Sequence, residues 1–140
     1  MIQDRVLFYS LEQAVTTSAA STNSLNLGLG DAGIAEGLFL YVQTTETFTS
    51  VATPTLTIDL ETSSDDTTFT KTGVSVSVTL ANLGVGKRLA VIALPIGLKK
   101  FTRVYYTVAN GSFTAGKLSA MLVDGINAQQ YLATTVPGVK

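Results

Sequence analysis

Asp59, Glu61, Asp65 and Asp66 form the one concentrated group of carboxylates in the chain. Oxygen ligands at this density suit a hard cation such as Ca²⁺, which takes roughly six to eight of them. Two separately placed carboxylates could instead serve glycoside hydrolysis. The element that must position the group argues against both. Residues 55–63, TLTIDLETS, alternate with Leu56, Ile58 and Leu60 on one face and Thr57, Asp59 and Glu61 on the other. That is the period of two of a half-buried strand, and Ser64-Asp65-Asp66-Thr67 reads as the turn after it. The spacing matches no EF-hand loop and no second carboxylate pair exists to shape a cleft. Acids on the solvent side of a strand also protect a sheet edge from unwanted pairing. The expectation is a solvated acidic edge with no metal and no cofactor, although the four residues leave cation binding open.

Two other patterns could carry chemistry. Gly28-Leu29-Gly30-Asp31-Ala32-Gly33 spells a G-x-G-x-x-G string, but its mechanism needs a helix opening at the last glycine to hold a pyrophosphate. Gly37 and the apolar run from Leu38 arrive too soon for such a helix. Serine nucleophiles would have to rely on lysine, because the chain has no His and no Cys. The nearest pair, Ser119 and Lys117, sits in alternating strand sequence without a nucleophile elbow. Asn110-Gly111-Ser112 matches a glycosylation acceptor but is first a turn with positive φ. Nothing in the sequence makes a positive case for an enzyme.

The elements around these residues are short strands. Residues 38–44 form a strongly apolar one, followed by a loop that ends at Pro54. Residues 69–78 alternate Val74, Val76 and Val78 with Ser75 and Ser77. Residues 88–94 stop at Pro95, and two further runs, 101–109 and 117–123, flank the Asn110-Gly111 turn. Residues 3–10 suggest a first strand or an arm, residues 11–15 (LEQAV) are compatible with a helical turn, and 21–27 alternate weakly. About eight strands at this spacing imply an all-β sandwich or barrel. Phe48, Phe69, Phe101 and Phe113 fall at strand ends, where they are expected to plug the ends of a sandwich.

Composition agrees with one domain: 140 residues, 46% hydrophobic and 14% charged, with a mean hydropathy of +0.35. The apolar residues are dispersed, so no spanning helix is expected; no signal peptide is expected either. A surface this poor in charge suits burial against a partner. Through Asp66 the chain has nine acidic residues and one basic; beyond it, eight basic and one acidic. Dispersed basic residues do not make a nucleic-acid patch. The split instead suggests first-half strands lying against second-half strands with opposite charges facing each other.

The stretch 101–124, containing YYTVANGSFTAGKLSAMLVD, resembles the cement (decoration) proteins of tailed bacteriophage capsids, of the Bordetella-phage type. STNSLNLG (21–28), LFLYVQTTETFTS (38–50) and LTIDLETSSDDTTFT (56–70) carry the same likeness. The resemblance implies a single-domain jelly-roll β-sandwich, residues 1–124, and a non-enzymatic role on the outer capsid surface of a virion after synthesis in the host cytoplasm. Its implied partners are the major capsid protein and other copies of the chain, a homodimer ahead of a trimer, with no nucleic acid and no membrane. The alternative is a carbohydrate-binding β-sandwich module of a phage tail fibre. Residues 125–140 form an apolar tail without alternation, expected to act as an interaction arm. The expected contact residues are Ile126, Tyr131, Leu132 and Val136 of the tail, with Ile2, Val6 and Phe8 at the other terminus.

Overall fold

The computed structural model describes residues 7–28 and 38–124. Among them run nine strands: β1 (Phe8–Ala14), β2 (Ala19–Ala20), β3 (Leu25–Asn26), β4 (Leu38–Thr49), β5 (Thr55–Ser63), β6 (Thr70–Thr79), β7 (Arg88–Ala93), β8 (Phe101–Ala109) and β9 (Ala115–Asp124). They form two antiparallel sheets, one ordered β1-β9-β4-β7 and the other β2-β8-β5-β6, with β3 also on β8. β2 and β3 are two pieces of one interrupted edge, meeting β8 at Tyr106 and at Thr102. Eight strand positions therefore carry the nine segments.

The pairing is nested. β5 pairs with β6, β4 with β7, β2 and β3 with β8, and β1 with β9. Each strand meets its counterpart counted from the opposite end, so the chain is one long antiparallel ribbon wrapped into two facing sheets. This is the jelly-roll winding of a β-sandwich. The ribbon's tip is the β5–β6 turn at residues 64–69, which contains Asp66, the point where the chain changes from acidic to basic. Among the described residues three ion pairs join the two arms: Asp59–Lys71, Glu61–Arg103 and Glu46–Lys117. The charge split is thus the split between the two arms of the ribbon.

The core lies between the sheets. Leu56, Ile58 and Leu60 of β5, with Val104 and Tyr106 of β8, face Leu40 and Val42 of β4 and Leu118, Ala120 and Leu122 of β9. A bulge in β1 sends two successive side chains inward: Phe8 pairs with Met121, but Ser10 already pairs with Ala120. Tyr9 and Ser10 then reach across to β8. The Tyr9 hydroxyl lies 2.7 Å from Thr102 Oγ1, and Ser10 Oγ lies 2.7 Å from the Tyr106 hydroxyl. Phe48 and Phe113 close one end edge to face, with centroids 4.8 Å apart. Gly116, at φ +142°, lies flat under the Phe48 ring, where any side chain would collide.

Several boundaries differ from the sequence expectation. Residues 11–14 are strand rather than helical turn, because pairing with β9 supplies their backbone partners and the bulge at Glu12 (φ +49°) absorbs the misfit. Residues 45–49, expected in a loop, continue β4 through Thr49, held by the long partner β9. Residues 55–63 are β5 as expected, and Asn110 adopts a positive φ of 63° in the β8–β9 turn.

Candidate interaction surface

The carboxylates expected on a solvated edge are used within the fold. Asp59 and Glu61 are only 3% and 8% exposed, which corrects their expected solvation. Long side chains on the neighbouring strands lie over them. Arg103 Nε donates to Glu61 Oε2 at 2.7 Å, and its guanidinium stacks 4.1 Å from the Phe69 ring centroid and 5.5 Å from that of Tyr105. Lys71 Nζ sits 3.0 Å from Asp59 Oδ2, an ion pair at hydrogen-bond distance. The Asp59 carboxylate raises the pKa of the Lys71 ammonium.

Asp65 shapes the ribbon's tip. Its Oδ1 accepts the N–H groups of Thr67 at 3.0 Å and Thr68 at 2.9 Å, and the Ser63 hydroxyl at 2.8 Å. Those donors, the backbone of Thr68 first, hold its carboxyl far below the usual carboxylate range. Among the described residues no group of acids is arranged to hold a metal ion. Ser119 and Lys117 do not meet as nucleophile and base: the Ser119 hydroxyl accepts the Glu12 N–H, and Lys117 faces Glu46. Of the G-x-G-x-x-G string only Gly28 lies within the described residues.

The feature that sequence reasoning missed is the outer face of the first sheet. Register brings Phe8, Met121, Tyr41 and Val91 into one row across β1, β9, β4 and β7, with Val123 and Phe39 as the next pair. These side chains form an apolar cluster separate from the core. The signal was present in LFLYV and in AMLV, where both alternating faces are apolar, the pattern of strands buried on both sides. The second sheet's outer face is polar by contrast, with Thr57, Ser75 and Ser77 beside the Arg103–Glu61 pair.

A further apolar feature lies at the end of the sandwich closed by Phe48 and Phe113. The β4–β5 loop carries Val51, fully exposed, and the β6–β7 loop carries Val85, 64% exposed. Both loops are tied to that end, through Ser50 Oγ to the Ser112 carbonyl and Val85 N–H to Thr47 Oγ1. Ile96, also exposed, projects from the β7–β8 loop.

Of the expected contact residues, Phe8 lies on the outer face of the first sheet, buried against Tyr41, Met121 and Val123. Ile2, Val6, Ile126, Tyr131, Leu132 and Val136 lie outside the described residues. Residues 9–122 match the model of the family described as Bbp16. No curated protein matches the chain.

Proposed function

The chain belongs to the Bbp16 family, and from that premise we propose that it is a non-enzymatic cement protein of a tailed-phage capsid. It binds the outer surface of the assembled shell and clamps neighbouring capsomers. The observation that carries this reading is the family match across nearly the whole sandwich, because the family's name suggests a Bordetella phage protein. The geometry supports it in two ways. The charged side chains of β5 are spent on cross-strand pairs within the fold, leaving a rigid block. At one end of that block, Val51 and Val85 stand in water on separate loops, a placement that suits docking by loop tips.

In this reading the partners are the major capsid protein and a second copy of the chain, and the site of action is the virion exterior. The test is co-sedimentation of purified protein with assembled shells and with unassembled capsid protein. The reading expects saturable binding to shells alone and a higher temperature of shell disruption once bound. Val51→Asp with Val85→Asp should weaken that binding without lowering the melting temperature of the free protein. Absence of shell binding, with binding to glycans instead, would favour a tail-fibre carbohydrate module and overturn the proposal.

A further inference from the structure

Among the described residues the two sheets have four edges, and three of them are blunted. β1 shifts register twice against β9, with Glu12 at φ +49°. β2 and β3 are pieces of two residues each. β7 has six residues, opens on Arg88 and runs into Pro95. Bulges, short length, charge and proline are the devices that keep a sheet edge from pairing with another chain. The second half of β6 has none of them. β6 is the longest edge strand, ten residues, and among the described residues it pairs with β5 alone. Past the irregularity around Gly73 (φ +95°) its register against β5 is unbroken from Ser75 to Thr79. Residues 74–79, VSVSVT, contain no charge and no proline, and Val74, Val76, Val78 and Thr79 are β-branched. The edge is also incompletely covered. Val74, Val76 and Val78 pack against the core yet stay half-buried, whereas Leu56, Ile58 and Leu60 on neighbouring β5 are buried.

We propose that the β6 edge is where a second copy of this chain docks, β6 against β6, antiparallel across a two-fold axis at Val76. The second sheets of the two copies then run on as one continuous sheet. The strand is complementary to itself in this register. Val74 faces Val78 of the second copy, Ser75 faces Ser77, and Val76 faces its own counterpart, so valines meet over the joined core and serines on the outside. Lys71 is the one charged residue of β6 and already lies beside Asp59. It falls opposite position 81 of the other copy, past the end of that strand at Thr79, so no like charges meet. A two-fold contact needs only this one self-matching patch. It gives the outward N–H and C=O groups of the edge partners and covers the open flanks of the three valines. The inference rests on the cement reading only for the second copy that reading calls for, and names the edge the copy occupies. Its test uses free protein without shells, so its failure is distinct from a failure of shell binding.

Sedimentation equilibrium of the full chain measures the association, and a charge swap at the two exposed serines reads the register. Wild type should form a reversible dimer. Ser75→Lys with Ser77→Lys sets lysine against lysine twice across the axis and should raise the dimer Kd about tenfold or more. Ser75→Lys with Ser77→Glu sets opposite charges together and should keep Kd within about threefold of wild type or tighten it. Both serines are exposed on the outer face, so thermal unfolding of dilute protein should stay cooperative in each variant. Hydrogen exchange on wild type gives a reading that no substitution affects: amides within residues 74–79 should exchange more slowly as protein concentration rises, and those of β7 should not change. A protein that stays monomeric at every concentration overturns the proposal, as does a dimer whose Kd ignores both serine pairs. Amides at 74–79 that are protected only once shells are added would give the edge to a strand of the capsid protein and overturn it equally.

Discussion

Raising the pH should unfold this protein through two phenols. Tyr9 and Tyr106 are fully buried between the sheets, each joined to the opposite sheet by a hydroxyl contact of 2.7 Å. Burial pushes both phenols well above their ordinary value. The folded state therefore holds these protons more tightly than the unfolded chain, whose tyrosines ionise near about pH 10. Stability from this source is fully present below that pH and is lost as pH rises toward the folded-state values. Each such group contributes a slope of about 1.4 kcal/mol per pH unit. Two groups would remove about 5 kcal/mol between about pH 10 and 12, comparable with the lower end of a domain's total stability. Urea unfolding followed by circular dichroism across this range measures the slope, and tyrosinate absorbance reports when the phenols ionise. Tyr106→Phe should cost about 1 kcal/mol at neutral pH, because Ser10 keeps Gln13 Oε1 as a partner at 2.6 Å, and should roughly halve the alkaline slope. An unchanged slope in Tyr106→Phe, or ionisation of both buried phenols near their ordinary value in the folded protein, would refute the reasoning.

Three further outcomes follow from named contacts. Gly116→Ala should destabilise the sandwich by at least about 2 kcal/mol in denaturant unfolding, since the positive φ is strained for alanine and the new methyl meets the Phe48 ring. Arg103→Lys should cost about 1–2 kcal/mol, because lysine restores the charge beside Glu61 but not the planar stack on Phe69; equal stability would remove that stack from the account. Asp65→Ala should lower the melting temperature at neutral pH. Because its carboxyl titrates far below the ordinary value, the wild type's advantage is present above about pH 4 and shrinks as pH falls further. A difference between the two proteins that is constant with pH would contradict the role given to the ionised carboxylate.

The sequence was most legible where one face alone is buried. The alternation in residues 55–63 sets both the limits of β5 and its inward Leu56, Ile58 and Leu60. It misled at Asp59 and Glu61, because alternation tells which way a side chain points and not what lies over it. The covering groups, Lys71 and Arg103, come from strands whose register only the fold decides. The charge split was readable as pairing between halves, and the nested ribbon supplies its geometry. Residues 45–49 look like loop because the apolar run of residues 38–42 has ended and the stretch leads to Pro54; their strand is imposed by β9. The contacts of Tyr9 with Thr102 and Ser10 with Tyr106 join residues 93 and 96 positions apart, a separation that local pattern does not encode. The outer apolar row was visible as both-face hydrophobicity in LFLYV and AMLV, but its meaning depends on how the ribbon is wound.

The proposal that the chain is a capsid cement protein is tested most directly by quantitative mass spectrometry of purified virions. The account predicts the protein in virions at a copy number of the same order as the major capsid protein, removable by treatments that leave the shell assembled. Absence from virions, or presence only at the few copies of a tail component, would contradict it.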